Sequence, residues 1–87
     1  MKFPILNIDD ISTEEEIKKL KEEIYEFMSA FLLDDEENML EEFMDIIQVC
    51  VNLLDRYDLA DDLEEALSIH IRKLKSRGWK FKRFIEL

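Results

Sequence analysis

The chain has 87 residues, of which 22 are acidic and 12 basic, and its formal net charge is -10. This length predicts a single domain spanning residues 1–87. Hydrophobic residues make up 47% of the chain, so it is not a disordered acidic tail. A duplex-DNA binder would show a broad basic face, which this charge excludes.

The sequence shows no sign of export or of membrane insertion. The first eight residues include Pro4 and no long apolar stretch, so we expect no signal peptide. No apolar run approaches the ~20 residues of a membrane span. The one cysteine, Cys50, cannot form an internal disulfide and lies in an apolar run. We therefore expect a cytoplasmic protein in which Cys50 is a small buried hydrophobic residue.

Hydrophobic periodicity predicts an all-α fold with three main helices. Residues 1–11 form an N-terminal arm with apolar side chains that can pack on another surface. The first helix is expected over residues 13–33, where apolar residues recur at helical spacing. Two capping boxes could start it: Ser12 with Glu15, or Thr13 with Glu16.

The second helix is expected over residues 36–57. Beyond Asp45 it is apolar nearly all round, which is typical of a buried helix. Its polar residues recur every three or four positions and therefore form one stripe: Asn38, Glu42, Asp45, Gln48 and Asn52. Burial of ionisable groups without partners is costly, so the stripe predicts a site. Gln48 and Asn52 could equally bridge helices by hydrogen bonds.

The third helix is expected to begin near Asp61 or Asp62, either of which can cap it, and to end near Gly78, the only glycine. Three polar residues line up on this helix at three- and four-residue steps: His70, Lys73 and Arg77. Residues 79–87 form a basic-aromatic tail. Its alternating pattern predicts a short strand or an extended arm.

Two pairs of carboxylates have three-residue spacing, one pair on each of the first two helices. Residues three apart share a helix face, so Glu23 with Glu26, and Glu42 with Asp45, can each point one way. If those faces meet, four like charges converge and cannot all stay ionised without a counter-cation. Mg2+ or Mn2+ is the natural one. For the first pair alone, composition favours a solvated helix face, and the second motif shifts the interpretation to metal ligands.

The two motifs together resemble those of the MazG-like all-α nucleoside triphosphate pyrophosphohydrolases. That family has an EExxE motif followed by ExxD. This chain reads Glu22-Glu23-x-x-Glu26 and then Glu42-x-x-Asp45. The resemblance therefore rests on an ordered pair of motifs carried by two predicted helices.

Further matches extend the resemblance over about residues 17–79, and the end of this stretch is similar to small phage-type members. The family commonly has an Asn seven residues after the motif Asp, where this chain has Asn52. It also has a Lys and an Arg four apart on the next helix, matched here by Lys73 and Arg77. Three positions depart from the family pattern: Asn38, Met44 and His70.

The resemblance implies hydrolysis of an NTP or dNTP to the monophosphate and pyrophosphate, with a role in clearing nucleotides from the pool. It implies Mg2+ as cofactor, held by four catalytic carboxylates: Glu23, Glu26, Glu42 and Asp45. It implies substrate binding by Lys73, Arg77 and Asn52, and by position also by His70, which stands where the family often has Asn. From the residues alone, His70 fits a core histidine, and Lys73 and Arg77 fit the C-terminal end of a helix dipole.

A rival interpretation is a non-catalytic acidic helical interaction protein that mimics nucleic acid or inhibits a basic partner. It predicts carboxylates spread over the exterior and no dependence on metal.

The second helix also predicts self-association. Three helices cannot cover a helix that is apolar on nearly every side. We therefore expect a homodimer or homotetramer in which second helices from two chains form a four-helix-bundle core.

Overall fold

A computed structural model describes residues 2–87 and contains three α-helices. They are α1 (Thr13–Leu32), α2 (Glu36–Arg56) and α3 (Leu63–Ser76), with a 3-10 turn at Ala60–Asp62. No β-strand occurs within residues 2–87. The prediction of an all-α chain with three main helices is confirmed. The tail, residues 79–87, forms neither helix nor strand.

Side-chain caps begin the two long helices where the sequence predicts them. The Glu15 backbone N–H donates to Ser12 Oγ at 3.1 Å, and the Ser12 N–H donates to Glu15 Oε2 at 3.4 Å. Of the two possible capping boxes, this is the one that forms. At α2, Asp35 Oδ1 accepts from the Asn38 N–H at 3.2 Å.

All three helices end in a turn that satisfies their last carbonyls. After α3, the Trp79 N–H donates to the Leu74 carbonyl at 3.1 Å, and Gly78 between them has φ +83°. This is the Schellman arrangement, which needs a left-handed residue. Asp34 and Asp58 fill that position after α1 and α2, with φ of 53° and 57°. The turn at Asp34 brings α2 back along α1 as a helical hairpin.

The α1–α2 hairpin, residues 13–56, has a thin core. Only three apolar side chains in the described part of the chain are buried: Ile8, Ala30 and Val49. One face of the hairpin is lined by apolar residues. Residues seven apart in a helix share a face, and apolar residues recur at this spacing in both helices. It carries Ile17, Ile24 and Phe31 from α1, and Phe43, Cys50 and Tyr57 at the same spacing from α2 and its C-cap.

The N-terminal arm lies along the C-terminal half of α2. Alternate arm residues are hydrogen-bonded to every fourth residue of α2. Gln48 Nε2 donates to the Pro4 carbonyl at 2.9 Å, and the Leu6 N–H donates to Asn52 Oδ1 at 3.0 Å. Arg56 donates to the Ile8 carbonyl at 2.7 Å. The two repeats match, since two extended residues span ~6.6 Å and four helical residues rise ~6 Å. Part of the predicted polar stripe thus holds the arm.

Helix α3 contacts the 3-10 turn but neither α1 nor α2 in the described chain. The molecule is correspondingly open. Its Cα radius of gyration is 15.2 Å, compared with the ~12 Å typical of its length. Its accessible surface is 7861 Å2, compared with roughly 5,400 Å2 for a compact protein of 10.5 kDa.

Candidate metal centre

Three glutamates from the two helices of the hairpin converge at one point. Glu23 and Glu26 stand one turn apart on α1, and Glu42 faces them from α2. One carboxylate oxygen from each lies within 4.8 Å of the other two. We call these three residues the glutamate cluster. It brings together both predicted motifs, because the hairpin turn places the second half of α1 beside the first half of α2.

Burial distinguishes the three side chains. Glu42 is 9% exposed, Glu23 is half-buried and Glu26 is exposed. The Oε2 atoms of Glu23 and Glu42 are buried without a hydrogen-bond partner. Buried polar atoms are nearly always paired, because an unpaired one loses its hydration and gains nothing in return. Two such oxygens in one cluster indicate a position suited to a cation.

The proximity of the three carboxyl groups raises the pKa of Glu42 from 4.5 to about 8. The largest cause is the hydrogen bond that protonated Glu42 makes with Glu23. Burial of the carboxyl group comes next, followed by the interactions with Glu26. Near neutral pH the cluster without a cation therefore retains a proton. A divalent cation would replace that proton and offset two of the three negative charges.

The donor set fits a hard divalent ion. All three ligand atoms are carboxylate oxygens, which Mg2+ and Mn2+ prefer. Opposite ligands of Mg2+ stand ~4.2 Å apart, so the 4.8 Å limit in the cluster is close to that spacing. Mg2+ usually keeps several waters, so three carboxylates, one of them exposed, are enough protein ligands for it.

Two other motif carboxylates lie outside this cluster. Asp45 is exposed, one turn beyond Glu42 on α2, and none of its oxygens belongs to the group of three. Glu22 is also exposed. The structure thus brings together three of the four predicted ligands, and the fourth lies on the adjacent helical turn.

The residues with a predicted role in substrate binding are not gathered at the cluster. Asn52 is 4% exposed, and its Oδ1 accepts from both the Leu6 N–H and Gln48 Nε2. His70 and Lys73 are exposed on α3, and Arg77 is exposed at its C-cap. Because α3 contacts neither long helix in residues 2–87, these three residues are held apart from the glutamates by the fold of a single chain.

Two buried or hydrogen-bonded polar residues stand out to which the sequence assigned no role in the site. Glu16 is 2% exposed, and its Oε2 has no hydrogen-bond partner. It lies seven residues before Glu23 and therefore on the same face of α1. Arg56 donates to the Ile8 carbonyl and lies four residues after Asn52. Extending the polar stripe by one step would have found Arg56.

Comparison with known protein families, curated proteins and solved structures gave no match. Among the helices of residues 2–87, none is both long enough and apolar enough to cross a bilayer.

Proposed function

We propose that this chain is a MazG-like nucleoside triphosphate pyrophosphohydrolase. It would hydrolyse an NTP or dNTP to the monophosphate and pyrophosphate in the presence of Mg2+. The observation that carries the proposal is the glutamate cluster, in which both motifs contribute carboxylates and two oxygens are buried and unpaired. The proposed metal ligands are Glu23, Glu26, Glu42 and Asp45.

The cluster favours an enzyme over an acidic interaction protein. A mimic of nucleic acid needs its charges spread over the exterior, where each is hydrated. Here Glu42 is buried and its pKa is raised to about 8, because other carboxyl groups crowd it. Such crowding has a stability cost that a charged surface alone does not require. A cation site accounts for it.

The chemistry needs a positioned phosphate chain and an acceptor for one proton. When bound, Mg2+ offsets the negative charge of the triphosphate and makes a water more acidic. One carboxylate of the cluster would accept the proton of a water that attacks the α-phosphorus. Glu26 is the most accessible of the three carboxylates and is the proposed acceptor. The bond between the α-phosphorus and the bridging oxygen breaks, and the β- and γ-phosphates leave together as pyrophosphate.

The proposed role of Lys73 and Arg77 is to offset the negative charge of the departing phosphates. They stand four residues apart, a rise of ~6 Å, which suits neighbouring phosphate groups. Arg77 offers a bidentate contact and Lys73 a point charge. His70 lies one turn before Lys73 on α3. The oxygen of Asn52 is already occupied, so only its amide nitrogen could contact substrate.

We further propose that the active form is a homodimer or homotetramer with a four-helix core. The apolar face of the hairpin supports this, since Ile17, Ile24 and Phe31 remain 42%, 40% and 54% exposed. A chain with three buried apolar side chains among its described residues has little core of its own. Pairing two such faces would supply one.

The decisive experiment is a screen for pyrophosphate release over canonical and modified NTPs and dNTPs, with and without Mg2+. Hydrolysis should depend on Mg2+ and disappear in Glu42→Ala. Glu41→Ala is the matched control, because Glu41 is the adjacent residue of the same type and is exposed. Full activity in a Glu42→Ala, Asp45→Ala double variant would refute the proposed site.

A further inference from the structure

Helix α3 and the tail form one basic unit, which we call the basic strap (residues 63–87). The turn at Gly78 reverses the chain, and the tail lies back along α3. Between them is a cavity of about 470 Å3, with Leu67, Ile71 and Leu74 on the helix side and Phe81 on the tail side. The tail thus packs on α3, and helix and tail form one local unit.

The strap has almost no support from the rest of its own chain. Among the helices of the described residues, α3 packs against neither α1 nor α2 and contacts only the 3-10 turn that precedes it. Leu67 and Trp79 are 58% and 67% exposed, and Phe84 and Ile85 are exposed as well. A helix of 14 residues is marginal in water without packing on another surface. The strap needs a surface to cover its apolar residues.

Charge indicates what that surface is. The strap has three acidic and seven basic residues, a net charge of +4, whereas residues 1–62 have 19 acidic and five basic residues, a net charge of -14. The two parts are complementary, yet in the fold of one chain α3 contacts neither helix of the hairpin. A second copy presents the acidic surface that the strap lacks. Reciprocal exchange would satisfy both chains at once.

The exposed area agrees with such an exchange. The accessible surface of 7861 Å2 exceeds that of a compact protein of this mass by roughly 2,400 Å2. Obligate interfaces bury roughly 1,000–2,500 Å2 on each partner. The excess is large enough for strap contacts in addition to the contact between hairpin faces.

We propose that the basic strap of one chain packs on the acidic α1–α2 hairpin of a second copy, beside that copy's glutamate cluster. Lys73 and Arg77 then lie at the neighbour's carboxylates rather than at those of their own chain. The role of the strap in binding substrate rests on the proposed function. The packing itself follows from charge, exposure and area. Each site is incomplete without the partner chain.

Cross-linking tests the packing without any activity. Unlabelled and 15N-labelled protein are mixed in urea, refolded together and treated with a carbodiimide, which joins lysine amines to touching carboxylates. We expect about half of the peptides that link strap lysines to hairpin carboxylates to join differently labelled chains. A Lys73→Glu, Arg77→Glu variant should lose these links, and a Lys18→Glu, Lys19→Glu variant on α1 should retain them.

Three results would overturn the inference: strap–hairpin links confined to one label, no such links, or sedimentation of the wild-type chain as a monomer. The first would mean that the strap folds onto its own hairpin.

Complementation then tests the shared site. Glu42→Ala and a Lys73→Ala, Arg77→Ala variant are each inactive if the proposed function holds, but their co-expression should restore about a quarter of wild-type activity. Half of randomly formed dimers are mixed, and each mixed dimer has one intact site. No recovery, with wild-type protein active, would refute sharing. If mixed-label links form but wild-type protein hydrolyses no nucleotide, the proposed function fails and the packing stands.

Discussion

Arg56 at the end of α2 holds the carbonyl of Ile8, 48 positions earlier in the chain, at 2.7 Å. The same nitrogen donates to the Ile11 carbonyl at 2.6 Å, and the other terminal nitrogen donates to Thr13 Oγ1 at 3.0 Å. One guanidinium thus fastens the arm and the start of α1 to the end of α2. This contact closes the open end of the hairpin, opposite the turn at Asp34.

Removal of Arg56 should therefore loosen the arm. Arg56→Met is expected to lower the free energy of unfolding by about 2 kcal/mol, because three acceptors lose a charged donor. Arg56→Lys should recover only part of this, since an ammonium cannot reproduce the fork of the guanidinium. Urea unfolding measures both effects. Arg72→Met, at an exposed site on α3, is the control and should change stability little. Equal losses in Arg56→Met and Arg72→Met would contradict the role of Arg56.

Glu16 should behave in the opposite way. It is 2% exposed with an unpaired Oε2, so it has a desolvation cost without a compensating bond. Glu16→Met has a similar volume and should raise the free energy of unfolding by about 1 kcal/mol. Glu14→Met, at an exposed position in the same first turn, is the control and should be nearly neutral. A clear loss of stability in Glu16→Met would mean that this carboxylate has a partner in the assembled protein.

The helices of this protein were predictable from local sequence, because the signals that begin and end them act over a few residues. Ser12 and Glu15 form the capping box, and Gly78 takes the left-handed conformation after α3. The left-handed Asp34 and Asp58 carry a weaker signal, since aspartate takes that conformation less readily than glycine. The predicted helix ends place turns there but do not specify their left-handed residues.

The site was predictable to the extent that it follows from helix periodicity. The three-residue spacing of Glu23 and Glu26, with Glu42 on a neighbouring helix, was enough to expect their convergence. The partner of Asn52 was not predictable, because an arm 46 residues away leaves no periodic trace in the sequence. The position of α3 depends on one short turn and on whatever covers its apolar face. Neither is encoded in the pattern of α3 itself.

The glutamate cluster predicts that divalent cations stabilise the protein. At a concentration of Mg2+ or Mn2+ about 100 times its Kd, the melting temperature should rise by about 15 °C. Glu42→Gln should abolish most of this shift, because it removes the buried ligand. Glu41→Gln, one residue earlier and exposed, should retain it. Thermal melts with a chelator, with Mg2+ and with Mn2+ measure the shift in melting temperature. Equal shifts in both variants would mean that the ion binds elsewhere.

The last prediction follows from the raised pKa of Glu42. In the folded protein without metal this pKa is about 8, whereas its ordinary value is 4.5. Between these values the folded state holds a proton that the unfolded chain has lost. The contribution of Glu42 to stability is therefore complete below pH 4.5 and declines as the pH rises through about 8. Glu42→Gln stays neutral and lacks this decline.

The difference in unfolding free energy between Glu42→Gln and wild type should therefore grow in favour of the variant from pH 5 to pH 8. Urea melts in chelator measure it, with Glu41→Gln to subtract the effect of overall charge.

Metal affinity should increase with pH, whereas the stability of the metal-free protein decreases. Because the cation must displace the proton, Mg2+ binding to wild type should strengthen by about tenfold per pH unit below the pKa. Titrations at pH 6 and 7 test this step. Parallel stability curves with a pH-independent Mg2+ affinity would show that Glu42 is ionised throughout, and that the three carboxylates do not share one cation position.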